Sequence, residues 1–171
     1  SLGARYEQFV LKTSELYEIA GDSIDNDCDG LIDETEQSLS YGDVVITEIY
    51  NNPKTIPDPD GEWFEIKNNS TNAITLNGLI ISDEDGEEVH VVNSESEIVV
   101  DTGAYFVMGI NSDTSTNGDY GYPVVIDYEY DTVRLSNESD TLVLQMGDVI
   151  IDSVMWDDGT TMPDPNGSSM Q

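Results

Sequence analysis

Acidic side chains recur at alternate positions between residues 25 and 36, where the sequence reads DNDCDGLIDETE. A twelve-residue loop that wraps calcium needs oxygen ligands at positions 1, 3, 5, 7, 9 and 12, and a glycine at position 6. With Asp25 as position 1, Gly30 occupies position 6. The ligand positions then hold Asp25, Asp27, Asp29, Leu31 through its backbone carbonyl, Asp33 and Glu36. The spacing predicts a Ca²⁺ site, since a bound ion would offset the repulsion among these carboxylates.

Other outcomes stay open for this segment. Zinc or copper would need several converging sulfur or nitrogen donors, whereas Cys28 is the only cysteine and His90, the only histidine, is far along the chain. The acidic loop could also stay empty, or an ion could only fasten the segment to its neighbour without sensing calcium. No disulfide can form within the chain, so Cys28 is either a free thiol or pairs with another chain.

The charge balance limits the partners of the chain. Asp and Glu number 36 against 5 Lys and Arg, which gives a formal net charge of -31. A polyanion such as DNA or an anionic bilayer would be repelled, so we expect cations as partners and no nucleic acid. No stretch is long and apolar enough for a membrane span, and residues from Ser1 onward do not resemble a signal peptide, so we expect no membrane insertion.

Residues 5–20 have apolar side chains at helical spacing and predict one amphipathic α-helix, which Gly21 ends. The apolar positions are Tyr6, Phe9, Val10, Thr13, Leu16, Tyr17 and Ala20. A solitary helix must bury such a stripe. We expect it to pack on the β portion of the same chain, on another protein domain or on a second subunit.

From residue 43 onward the periodicity changes to short β-rich runs separated by turn residues. The runs cover 43–50, 62–68, 73–76, 79–83, 87–92, 97–100, 104–110, 124–130, 132–135, 140–145 and 149–156. They predict an all-β antiparallel sandwich or barrel. The polar loops 51–61 and 111–123 are expected on the surface. We therefore predict two parts: residues 1–42 with the helix and calcium loop, and residues 43–171 with the sandwich.

Two resemblances refine this picture. GDSIDNDCDGLIDE (21–34) resembles an acidic metal-binding repeat of secreted bacterial proteins, and also EF-hand and dockerin loops, although the second cysteine of that repeat, which would fall near Ala20, is missing. Residues 43–171 resemble the lamin-tail domain. The stretches that carry this second resemblance are VVITEIYNNP (44–53), GEWFEIKNNS (61–70), ITLNGLIISDEDG (74–86), VVDTGAYFVMG (99–109), LSNESDTLVLQMGDVIIDSVMW (135–156) and PNGSSMQ (165–171).

The lamin-tail resemblance implies an immunoglobulin-like sandwich, here preceded by the α-helix and the calcium-binding loop. Bacterial members occur as accessory modules of extracellular and surface proteins, which implies an extracellular or cell-surface location. The link of nuclear lamins with chromatin does not carry over, because five basic residues cannot neutralise a phosphate track. Trp63 and Trp156 are expected to be packing residues.

The sequence favours a non-catalytic role. One histidine and the absence of nucleophile or phosphate-loop motifs argue against an enzyme. We expect a calcium-binding module for attachment or structural assembly. The alternatives are a self-assembling subunit of a calcium-stabilised surface filament or layer, and an accessory substrate-binding domain of a secreted hydrolase. A second metal site stays open at residues that carry further acids, namely Asp58, Asp60 and Glu62 near Glu48 and Glu65, or Asp83 and Asp85.

Overall fold

The computed structural model describes Ser23 and residues 39–84, 86–163 and 166–171. A division of the chain falls between Glu36 and Gln37, and the residues described from 39 onward all lie in the second unit. The predicted helix 5–20 and calcium loop 25–36 lie outside the described residues. Both therefore stay predictions, as does the domain boundary at 42/43.

Ten strands and one helical turn form the described part, and every strand lies in or overlaps one of the predicted runs. In chain order they are β1 (Val44–Tyr50), α1 (Asp58–Gly61), β2 (Trp63–Asn68), β3 (Ile74–Thr75), β4 (Leu79–Ser82), β5 (Val89–Val91), β6 (Val99–Val100), β7 (Tyr105–Gly109), β8 (Tyr128–Glu129), β9 (Ser139–Met146) and β10 (Val149–Asp157). The prediction of an all-β fold is confirmed.

The strands form two four-stranded sheets and one short pair. The first sheet has the order β1-β2-β7-β8, the second the order β10-β9-β4-β5, and β3 pairs with β6. All pairings are antiparallel except that of β7 with β8, where Met108 lies beside Tyr128. The expectation of a purely antiparallel sandwich is wrong at this edge, because β8 joins the sheet after the long connection 110–127 instead of a hairpin.

Alternation of side chains along the strands produces one core between the two sheets. In β9, for example, Leu142 and Leu144 are buried while Thr141, Val143 and Gln145 are only partly so, as expected for strands with one face covered. The first sheet contributes Phe64, Ile66 and Met108, and the second contributes Ile81, Leu142, Leu144, Ile151 and Trp156. Leu39 also belongs to this core, and the Gly42 N–H donates to the Ile151 carbonyl at 2.8 Å.

Both tryptophans pack as expected. The Trp156 side chain is 1% exposed, and its Nε1–H donates to the Ser136 carbonyl at 2.8 Å. Trp63 is half-buried and stacks on Tyr50 with 5.6 Å between ring centroids. Neither ring is presented as a free platform for a ligand.

The predicted strand at 132–135 is wrong. Val133 and Leu135 are buried, so the apolar pattern that suggested a strand is real. However, the backbone N–H groups here are taken by carboxylates: Arg134 N donates to Glu88 Oε2 at 2.7 Å, and Leu135 N donates to Glu62 Oε2 at 3.2 Å. Side-chain acceptors thus replace the neighbouring strand that a ladder requires.

The two long loops are not merely surface segments, because Asp119 joins them. Asp119 is 7% exposed. Its carboxylate accepts the Lys54 N–H at 2.7 Å and the Thr55 N–H at 2.7 Å, and the hydroxyls of Thr55 and Tyr50 also donate to it. Burial raises the pKa of the Asp119 carboxyl, but these hydrogen bonds outweigh burial and hold the pKa well below its ordinary value.

Replacing Asp119 should release loop 51–61 from loop 111–123. We expect Asp119→Asn to lower the free energy of unfolding by about 2 kcal/mol, because several donors lose a charged acceptor. Asp113→Asn is the matched control, since it removes the same charge from an exposed carboxylate in the same loop. Urea denaturation measures both variants, and an equal effect of the two would contradict the role assigned to Asp119.

Candidate functional site

The predicted calcium ligands lie outside the described residues, so their arrangement stays a prediction. The six donors are Asp25, Asp27, Asp29, Leu31, Asp33 and Glu36. All six supply oxygen, five from carboxylates and one from a backbone carbonyl, and Cys28 falls at a position that is not a ligand. This donor set fits a hard cation such as Ca²⁺ and does not fit zinc or copper.

The further acids considered for a second metal site are separated by their partners. Glu48 and Glu65 lie opposite each other on β1 and β2, but the Ser169 hydroxyl donates to Glu48 and the Thr47 hydroxyl donates to Glu65 at 2.7 Å. Asp58 Oδ2 instead accepts Asn137 Nδ2–H at 2.9 Å. Each of these three carboxylates thus has a protein donor of its own.

On the hairpin that follows β4, Asp83 Oδ1 accepts the Glu88 N–H at 3.4 Å, and Asp85 lies outside the described residues. Within 39–84, 86–163 and 166–171, no three Asp, Glu, His or Cys side chains come together in a way that could hold a metal ion. The described sandwich therefore offers no support for a second site.

Glu62 is the most unusual acid of the described part, since it is only 3% exposed. It lies between α1 and β2 and contacts three segments. Its N–H donates to the Asp58 carbonyl at 3.1 Å, its carbonyl accepts the Ile110 N–H at 3.1 Å, and its Oε2 accepts the Leu135 N–H at 3.2 Å. Glu62 thus fastens α1, the end of β7 and the segment that follows β8 to one another.

Burial raises the pKa of Glu62 to about 7. The Leu135 N–H and the charge of Arg134 lower this pKa, while the negative charges of Asp58 and Glu88 raise it. Nearby, the Tyr130 hydroxyl is fully buried with no hydrogen-bond partner among the described residues, and burial and the charge of Glu62 both raise the pKa of Tyr130. A carboxyl in this setting carries its negative charge at a cost to the fold.

His90 is held by two side chains that sequence reasoning did not find. Its Nδ1 lies 2.9 Å from Asp131 Oδ1, and its Nε2 lies 2.9 Å from the Tyr128 hydroxyl. The Asn93 N–H also donates to that hydroxyl at 3.2 Å. These contacts fasten β5 to the chain around β8. No periodicity signals them, because they join residues about 40 positions apart.

Comparison with known proteins identifies a family. A family model described as the lamin tail domain matches residues 37–158, a range that contains all ten strands and excludes the acidic loop 25–36. No curated protein matches the chain.

The raised pKa of Glu62 predicts a specific pH dependence of stability. Its folded pKa lies above its unfolded value, so the contribution of Glu62 to the free energy of unfolding should be highest below about pH 4.5 and should fall by up to about 3 kcal/mol as pH rises through 7. In Glu62→Gln this fall should be absent, because the amide stays neutral and keeps an oxygen acceptor for the Leu135 N–H.

Urea denaturation from pH 5 to pH 8 at fixed salt measures this effect. Glu138→Gln, which changes an exposed acid near the same segment, is the matched control and should keep the slope of the parent chain. A slope that persists in Glu62→Gln would show that another group titrates.

Proposed function

The chain belongs to the lamin tail domain family, a family of immunoglobulin-like structural domains, and from this premise we propose that it is a non-catalytic calcium-binding module for attachment or structural assembly outside the cell. The observation that carries the proposal is the twelve-residue segment 25–36, in which every calcium-ligand position holds an oxygen donor. It directly precedes the domain.

Calcium would be held by the carboxylates of Asp25, Asp27, Asp29, Asp33 and Glu36 and by the Leu31 carbonyl. A bound divalent cation supplies positive charge where the chain has none of its own, since no Lys or Arg lies between residues 13 and 53. Gly30 gives the sharp turn that such loops need at position 6. Ordering of residues 25–36 would then depend on the calcium concentration.

An extracellular or cell-surface location is consistent with this requirement. Loops of this type in extracellular modules bind calcium with dissociation constants of about 0.1–1 mM, which suits a calcium-rich medium. The net charge of -31 favours solubility and suits a medium whose ions screen self-repulsion. No helix of the described residues is long and apolar enough to cross a membrane.

A structural role agrees with how the sandwich uses its polar groups. Asp119 and Glu62 both accept backbone N–H groups from distant segments, and His90 bridges Asp131 and Tyr128. These groups hold the sandwich together, whereas a catalytic carboxylate or imidazole would face a reacting substrate.

Two other roles are distinguished by the partner. As a self-assembling subunit of a calcium-stabilised filament or layer, the chain would lose mass when a chelator is added. As an accessory domain of a secreted hydrolase, it would bind the polymer that the hydrolase degrades, with no change in its own mass. Multi-angle light scattering with calcium and then with chelator separates the first role from the second.

Calorimetric titration with calcium at moderate ionic strength tests the ligand assignment. We expect one saturable event with a dissociation constant of about 0.1–1 mM. The double variant Asp25→Ala with Glu36→Ala should abolish it, because the first ligand and the bidentate ligand at position 12 are both lost.

The matched control is Asp22→Ala with Glu34→Ala, which removes the same charge from acids outside the ligand positions. This control should bind calcium with little change in affinity. An equal loss of calcium affinity in both double variants would show that cations are only attracted diffusely to the acidic segment. Retention of the parent affinity in Asp25→Ala with Glu36→Ala would refute the ligand assignment.

A further inference from the structure

The outward face of the second sheet is uncharged over three rows of cross-strand neighbours, which is unusual in a chain with 36 acids; the row beyond them pairs Ser139 with Asp157. Cross-strand pairing defines this face: Val91, Ile80, Gln145 and Ile150 lie in one row, Val89, Ser82, Val143 and Ser153 in the next, and Thr141 and Met155 in a third. We call these ten residues the β4–β9–β10 face. The outward face of the first sheet differs, because Glu48, Glu65 and Lys67 lie on it.

A groove of about 480 Å³ follows the β4–β9–β10 face. Its apolar lining comes from Val143, Ile150 and Met155, of which Ile150 is 50% and Met155 is 60% exposed. Apolar side chains left in water along a groove are characteristic of binding surfaces. The remaining lining is polar but mostly uncharged. It suits an extended segment, because the backbone N–H and C=O groups of such a segment need hydrogen-bond partners.

One end of the groove is acidic. Asp83 and Glu84 line it and also line an adjoining groove of about 340 Å³, to which Asp140 and Asp157 contribute. The last two carboxylates already accept backbone N–H groups, from Ser136 in the case of Asp140 and from Thr161 in the case of Asp157. Among the described residues, no Lys or Arg lines either groove, so the described lining of this end carries negative charge without a basic side chain beside it.

Charge decides which occupant fits. A second copy of the chain would bring another net charge of -31 and a second acidic end, so self-association through this face is opposed by repulsion. A segment with aliphatic side chains followed by lysines or arginines complements both parts of the groove. The aliphatic side chains would fill the part lined by Val143, Ile150 and Met155, and the basic ones would reach Asp83 and Glu84.

We propose that the β4–β9–β10 face docks a segment of another protein that carries aliphatic residues flanked at one end by basic residues. Such a segment would be the partner to which the proposed attachment module attaches. The proposal rests on the proposed function only for this role of attachment. Calcium is not part of the docking contact, so peptide binding and calcium binding can fail independently.

Fluorescence anisotropy with two synthetic peptides tests the proposal on the full chain. Both peptides share a segment of alternating valine and threonine; one ends in three lysines and the other in three glutamates. We expect the lysine peptide to bind at least about tenfold more tightly. The titrations are run in calcium and again in chelator, and binding should occur in both.

Because any cationic peptide is attracted to so acidic a chain, matched variants locate the site. Ile150→Glu with Met155→Glu should weaken binding of the lysine peptide at least about tenfold, since charge enters the apolar part. Val99→Glu with Val125→Glu adds the same charge at exposed valines elsewhere and should leave the affinity unchanged. Thermal unfolding of the two double variants checks that each is folded.

The acidic end has its own pair of variants. Asp83→Asn with Glu84→Gln should weaken binding of the lysine peptide about tenfold. Glu95→Gln with Asp101→Asn removes the same charge from other exposed acids and should leave this binding unchanged.

The proposal is overturned if the lysine peptide does not bind or if the control pairs weaken binding equally. It is also overturned if light scattering shows a dimer that Ile150→Glu with Met155→Glu dissociates, because a second copy then occupies the face.

Discussion

The excess of carboxylates over basic side chains is the constraint that shapes this chain. With 36 acids and 5 Lys and Arg, few carboxylates can form ion pairs, and within the described residues the one contact of this kind joins Asp131 to His90, which is an ion pair only when the imidazole is protonated. The sandwich uses its acids as acceptors for backbone N–H groups instead. Asp152 accepts the Ile46 N–H at 2.7 Å, and Asp127 accepts the Val107 N–H at 2.9 Å. Such charge-assisted hydrogen bonds stabilise the fold and satisfy strand edges and loops that no ladder reaches.

In our proposal, the same constraint makes the segment that precedes the domain a cation site. Residues 25–36 hold six acids and no basic residue, and carboxylates at alternate positions crowd one another in any compact arrangement of the chain. A divalent ion with six or more oxygen ligands removes that repulsion. In our proposal the module thus combines two parts. The sandwich pairs its backbone N–H groups with acceptors of its own, whereas the order of the loop depends on the calcium concentration of the medium. An attachment module benefits from this division, because the docking face would stay formed when calcium is absent.

The strands were predictable from the sequence, because alternation of apolar and polar residues records which side chains face the core. The failures have a common physical cause. Residues 132–135 are apolar and buried like a strand, yet Glu62 and Glu88 take the N–H groups of Leu135 and Arg134, and no local pattern reveals an acceptor far along the chain. The role of Asp119 was not predictable for the same reason, since its loop has only a polar, turn-rich sequence and its donors lie far along the chain. The calcium loop is the opposite case, because its ligands lie within twelve residues and their spacing alone carries the prediction.

Anomalous diffraction from crystals grown in calcium would show the ion and its ligands together. We expect one strong anomalous peak surrounded by oxygen atoms at about 2.3–2.6 Å, contributed by Asp25, Asp27, Asp29, the Leu31 carbonyl, Asp33 and Glu36. A map without a peak among these residues, with only water between the aspartates, would contradict this expectation.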